Sequence, residues 1–149
     1  MQEKKIVIAS DHGGFTLKQS LKSYLLEKGY EVLDCGTHSA DSVNYPDYAA
    51  ALAKGMKEGK ANKGILICTS GIGMSIAANR YPFIRAALVA NRELAELARL
   101  HNDANVVVFG AKFISEEVAK ECVDVFLTTE FSGGRHCCRV EALERMTNE

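Results

Sequence analysis

The sequence has 149 residues, 47% hydrophobic and 25% charged. That excludes a disordered chain or a collagen-like repeat and suits one folded domain over residues 1–149. Lys and Arg number 18 against 19 Asp and Glu, a formal net charge of -1. No global positive field exists to hold nucleic acid or an anionic membrane. Any bound anion must meet a local cluster of positive groups.

In chain order, Ile6–Ser10 reads as a buried strand, followed by a helix over Phe15–Lys28 with Leu17, Leu21, Tyr24 and Leu25 at helical spacing and Gly29 as its stop. Tyr30–Asp34 alternates like a strand, and Gly36–Pro46 is a polar loop, long enough for an active-site flap. Tyr48–Glu58 predicts a helix, and Gly64–Cys68 a fully apolar strand. Thr69–Gly73 is a Gly-rich turn opening a helix through Asn79. Ala86–Ala90 and Val106–Phe109 are strands separated by a helix over Glu93–His101. Ser115 caps a helix through Val123 and Phe126, and a last helix runs from about Arg135 to Arg145. Strands alternating with helices predict an α/β fold: a doubly wound, Rossmann-like parallel sheet of five strands with a C-terminal helix. Ligands of such sheets bind at the carboxyl ends of the strands. That rule selects the loops Asp11–Gly14, Cys68–Gly71 and Gly110–Lys112.

The apolar run Ile6–Ala9 is too short for the core of a signal peptide, and no stretch reaches the roughly 18 apolar residues of a membrane span. Five cysteines, none in a C-x-x-C pair, suggest a reducing compartment, and a cytoplasmic location is expected. No Cys/His zinc spacing is present, so no metal is expected.

Four constellations carry potential chemistry. Asp11 and His12 follow the first strand, where Gly13 and Gly14 permit close backbone approach. The alternative is a turn capped by Asp11. Cys68-Thr69-Ser70-Gly71-Ile72-Gly73 aims backbone N–H groups at one space, an anion site. It lacks the Lys of a Walker loop and the G-x-G-x-x-G spacing of a dinucleotide site. A thiol phosphatase would need an Arg where Met74 stands. A free thiol ionises only near pH 8.5, and oriented amides would raise its thiolate fraction. Cys68 would then be a nucleophile or a general base; alternatively it is a small apolar residue ending a buried strand. His101, before Asn102 and Asp103, is an acid–base candidate or a helix end with Asn102 in the left-handed conformation. Arg135 and Arg139, four apart, suit a phosphate dianion, with Lys112 as a third positive group. Otherwise they are a solvated face paired with Glu141 and Glu144.

Together SDHGGF, GTHS…NYPDYA, ILICTSGIGMSIAANR, RLHNDANVVVFGAK and SGGRHCCRVE resemble the type-B ribose-5-phosphate isomerase family, which includes galactose-6-phosphate isomerase subunits and allose-6-phosphate isomerases. The resemblance runs from Ile6 to about Met146. It implies aldose–ketose isomerisation through a cis-enediolate, without cofactor, on a small sugar phosphate. Under it, Cys68 is the general base, and Ser70, Gly71 and Gly73 hold the enediolate. His101 opens the furanose ring with help from Asp11, and Tyr45 and Asn102 contact the sugar. His12, Lys112, Arg135 and Arg139 bind phosphate. It also implies a homodimer with shared active sites, a tetramer being the alternative. The family commonly has Gly-Thr where this chain has Thr69-Ser70, and Arg where it has Lys112. These departures bear on substrate range, with hexoses and hexose phosphates such as allose and psicose in view. A non-catalytic sugar-phosphate sensor, or one subunit of a hetero-oligomer, is the competing reading.

Overall fold

The computed structural model describes residues 4–146. Five strands form one parallel sheet: β1 (Lys5–Ser10), β2 (Glu31–Asp34), β3 (Lys63–Cys68), β4 (Ala86–Leu88) and β5 (Val106–Gly110), in the order β2-β1-β3-β5-β4. The central strands are near-continuous apolar runs because both faces are covered. Ile6 to Ala9, Ile65 to Ile67 and Val106 to Phe109 are all buried. At the edge, Glu31–Asp34 alternates between exposed and half-buried, the period-two signal that the sequence carries there.

Among the described residues, six α-helices surround the sheet: α1 (Phe15–Glu27), α2 (Tyr45–Lys57), α3 (Ile72–Ala78), α4 (Arg92–Asn102), α5 (Glu116–Thr128) and α6 (His136–Met146). Ile6, Ile8, Ile65, Ile67, Val107 and Phe109 pack with apolar residues of α1, α4 and α5. Val7, Ala9, Leu66, Val106 and Val108 pack on the other face with α2 and α3. The connection after β1 therefore leaves to one face and that after β3 to the other. The two strands are neighbours, so the crevice of the topological switch point opens between them.

Several boundaries differ from the sequence reading, each for a local reason. The polar loop ends at Asn44, not Pro46, because Pro46 sits in the first turn of α2, where its missing N–H costs nothing. The strand expected to reach Ala90 stops at Leu88, although Val89 N–H still donates to Val108 O at 3.1 Å. Beyond it, Asn91 turns out to cap α4 by accepting from Leu94 N–H at 2.9 Å. The left-handed residue closing α4 is Asp103, φ 48°, and Asn102 stays helical. Asp103 is pinned there by Arg99 at 2.8 Å. A single 3-10 turn, His12–Gly14, was not expected.

Candidate active site

The carboxyl edge of the sheet gathers three loops. The register Ser10↔Ile67 carries Asp11 beside Cys68, and Cys68↔Gly110 carries the β5 loop to the other side. Asp11 is buried, and its Oδ1 accepts from Gly13 N–H at 2.9 Å and Gly14 N–H at 3.2 Å. The capping alternative is thus realised, and Oδ2 makes no hydrogen bond among the described residues. Ala111 N–H donates to Cys68 O at 2.9 Å, and Lys112 N–H to Thr69 O at 3.0 Å. The exposed Lys112 side chain therefore starts from the rim of the crevice.

Glycines let these loops interlock. A Cβ on Gly14 would lie 2.7 Å from Ile67 O, and one on Gly13 would strike Thr69 Oγ1. Gly13 is what makes room for Thr69. A Cβ on Gly110 would collide with the Ser70 carbonyl, which is backbone and cannot rotate away. Gly110→Ala is expected to cost about 1–3 kcal/mol of stability through this overpacking. Thermal unfolding reads it, and an unchanged Tm would mean that the two loops separate freely.

Cys68 is buried at the tip of β3, and Gly71 N–H donates to its Sγ at 3.1 Å. That geometry needs Gly71 left-handed, at φ 80°. Ile72 N–H is taken by Ser70 Oγ at 3.2 Å. The first N–H groups of a helix have no partner within it. Those of Gly73 and Met74 remain without an acceptor among the described residues. The Tyr45 ring lies over Gly73, where a Cβ would be 2.7 Å from it. His12 Nδ1 accepts from Val43 N–H at 3.1 Å, which leaves Nε2 as the ring nitrogen able to donate.

The sequence did not single out what fixes this loop. Lys18 is fully buried and donates to Asp34 Oδ2 at 2.6 Å, with Lys22 at 3.2 Å on the same oxygen. Asp34 Oδ1 accepts from Gly36 N–H at 2.9 Å. Burial alone would push the Asp34 carboxyl up. The bonds from Lys18, Gly36 and Lys22 outweigh it and hold the carboxyl below its ordinary range. The loop is stitched on to β1 by Ser10 N–H to Gly36 O and Thr37 N–H to Ser10 O, both 2.7 Å. The signal existed: Lys18 stands at helical spacing from Leu21 and Leu25, on the stripe that faces the core.

The remaining candidates stand at the opposite edge. His101 and Asn102 end α4 just before β5 begins. The five residues of β5 span about 13 Å at roughly 3.3 Å per step, and they separate the edge where α4 hands over to β5 from the edge that holds Cys68. Here His101 stacks on His136, with ring centroids 4.3 Å apart. Desolvation, then the neighbouring His101, Arg135 and Arg139, hold the His136 imidazole below its ordinary pKa. Arg135 precedes α6 and Arg139 lies in its first turns. Neither enters a salt bridge among the described residues, and Glu144 pairs with Arg85 at 2.8 Å instead of with them. Of the alternative reading, the pairing of these arginines with Glu144 is not found among the described residues. Lys112, offered as a third positive group, stands at the far edge from the two arginines of the same chain. An apolar cavity of about 400 Å³ also opens at this edge, lined by Tyr81, Ile84, Leu143 and Asn102 among others. Thus one chain assembles Asp11, His12, Tyr45, Cys68, Ser70, Gly71, Gly73 and Lys112, and separately His101, Asn102, Arg135 and Arg139.

A family described as Ribose/Galactose Isomerase matches residues 6–143. The chain is 45% identical over 140 residues to ribose-5-phosphate isomerase B of Escherichia coli, covering 94% of each. It is similar to the crystal structure of a ribose 5-phosphate isomerase from Thermotoga maritima, with TM-score 0.93 and 51% identity, covering 95% of this chain and 97% of that one. It also matches ribose-5-phosphate isomerase B of Mycoplasma genitalium, solved with bound ribulose 5-phosphate, at TM-score 0.92 and 39% identity, with 97% of each chain covered.

Proposed function

The chain belongs to the ribose/galactose isomerase family, and from that premise we propose that it interconverts ribose 5-phosphate and ribulose 5-phosphate through a cis-enediolate. The observation that carries this reading is the Cys68 sulfur under the Gly71 N–H, with the Gly73 and Met74 amides unspent beside it. Isomerisation needs a base at the carbon next to a carbonyl and a place for the negative oxygen that results. Cys68, as thiolate, moves the proton between C2 and C1. The amides after Ser70 hold the enediolate oxygens. Asp11 keeps one carboxylate oxygen for the sugar, and Tyr45 borders the same space.

His101 opens the furanose ring, Asn102 contacts the sugar, and Arg135 and Arg139 take the phosphate with His12 and Lys112. Because these groups lie at two edges of one sheet, the reading requires two copies. The His101 edge of one completes the Cys68 edge of the other, in a homodimer with shared sites. A tetramer of such dimers is the larger alternative. The chemistry draws on no metal and no cofactor. Among the described residues no helix is long and apolar enough to cross a membrane. With five free cysteines, we assign the enzyme to the cytoplasm.

Purified chain, alone and in chelator, is expected to turn over ribose 5-phosphate. Failure to do so would favour a sensor or one half of a hetero-oligomer. Ser70 lacks the methyl of the Thr common in the family, which leaves the pocket roomier. Ser70→Thr is therefore expected to shift preference toward the pentose phosphate and away from allose, psicose and their phosphates. An unchanged pentose-to-hexose ratio of kcat/KM would remove Ser70 as the determinant.

A further inference from the structure

We propose that Lys18 is a positioning residue for the phosphate site: through Asp34 it sets the segment from which Val43 orients the His12 imidazole. The proposal rests on the reading of His12 as a phosphate contact.

An apolar residue would serve the core-facing stripe of α1 as well as Lys18 does, since its buried neighbours there are Leu17, Leu21 and Leu25. A buried ion pair is weak evidence for stability, because desolvation offsets much of its attraction. What this pair provides is a fixed geometry. Lys18 is fully buried within the single chain, so the pair stands whatever packs alongside. Its Nζ donates to Asp34 Oδ2 at 2.6 Å and to Gln19 Oε1 at 2.9 Å, and lies 5.4 Å from the centre of the Phe15 ring. Against the burial that would raise it, bonds from Lys18, Gly36 and Lys22 keep the Asp34 carboxyl ionised.

The other carboxylate oxygen carries this geometry onward. Asp34 Oδ1 accepts from Gly36 N–H at 2.9 Å. Gly36 O and Thr37 N–H then pair with Ser10, two residues before His12, at 2.7 Å each. Beyond Thr37 the chain is sparsely held until α2 begins at Tyr45. Among the described residues, the hydrogen bonds of residues 38–43 are Asp41 N–H to Ser39 Oγ at 3.2 Å and Val43 N–H to His12 Nδ1 at 3.1 Å. The segment is therefore set by its two ends, and Lys18–Asp34 anchors the first. The Val43 bond is also the one hydrogen bond of the His12 side chain among the described residues. While it holds, Nδ1 carries no proton and Nε2–H is the donor that a phosphate oxygen meets. Asp11 and Cys68 are fixed by other contacts: Asp11 by the Gly13 and Gly14 amides, Cys68 by its place in β3 and by Gly71 N–H. Loosening the segment therefore reaches phosphate binding and spares the proton transfer.

Steady-state kinetics on Lys18→Met, His12→Ala and the two combined test this. Lys18→Met should raise KM for ribose 5-phosphate about tenfold, the scale of one lost hydrogen bond to a charged group. Its kcat should stay near the wild-type value, and inorganic phosphate should inhibit it correspondingly more weakly. In the His12→Ala background the same substitution should add little, because the imidazole through which it acts is gone. Removing one partner of a buried pair can unfold a protein, so Lys18→Met/Asp34→Leu is made alongside. Apolar residues of similar volume replace such a pair at little cost to stability, but Gly36 loses its acceptor. This variant should melt near the wild-type temperature and still show the raised KM. A fall in kcat with KM unchanged, an equal effect of Lys18→Met with and without His12, or a stable double variant with wild-type KM would each overturn the proposal. Failure of the phosphate reading would appear separately, as a His12→Ala enzyme whose KM does not move, and would bring the proposal down with it.

Discussion

Cys68→Ala keeps its fold and loses about 10²–10⁴-fold of its turnover on ribose 5-phosphate, the range a positioned base contributes. The fold survives because Cys68 is a small residue at the tip of β3, and alanine preserves the strand and its pairing with Gly110. The loss to stability is the one contact from Gly71 N–H, worth on the order of 1 kcal/mol. Turnover falls because nothing else at the carboxyl edge stands in the same place: Asp11 is committed through Oδ1 to two backbone amides. Cys68→Ser separates the two roles of the sulfur. It keeps an acceptor for Gly71 but offers a hydroxyl that ionises far less readily, so it should be as inactive as the alanine variant. Circular dichroism with steady-state kinetics reads both. Near wild-type turnover in either variant would move the base to another residue.

Arg139→Ala raises KM for ribose 5-phosphate by roughly 10- to 100-fold, the equivalent of losing one charged hydrogen-bonding partner worth about 1.5–3 kcal/mol. It should leave unphosphorylated sugars almost unaffected. Arg139 makes no salt bridge among the described residues, so its removal orphans no carboxylate, and α6, with no buried residue, loses no packing. Lys in its place should recover only part of the effect, because a point charge replaces a planar fork. Parallel kinetics on the phosphate and the free sugar decide the matter, and equal losses on both would argue that Arg139 shapes the helix instead.

The strands were legible because their physics is local. Ile65 to Ile67 and Val106 to Phe109 are apolar without alternation since helices cover both faces, and β2 alternates because it is an edge. The Cys68 loop was legible too: strand, glycines, helix, in that order, place the amides before any coordinates are known. Less legible was the start of α2, where Pro46 reads as a loop residue and is helical. So was the end of α4, where the left-handed position falls to Asp103 through a partner, Arg99, that only the fold reveals. The division of the site was implicit in chain order. A residue that follows a helix and precedes a parallel strand stands at the amino edge, so His101 could not share an edge with Cys68. A motif-by-motif reading groups residues by chemistry and passes over that. Lys18–Asp34 escaped because, although the spacing puts Lys18 on the core-facing stripe, the carboxylate that pairs with it is sixteen residues away on another element.

The most direct test of the account is carriage of solvent hydrogen by the Cys68 sulfur. Wild-type enzyme turning over ribose 5-phosphate in deuterated water should wash deuterium into the carbon next to the carbonyl, and Cys68→Ala should abolish that wash-in while still binding the substrate. Isomerisation with complete retention of the original hydrogen, or exchange undiminished in the alanine variant, would contradict it.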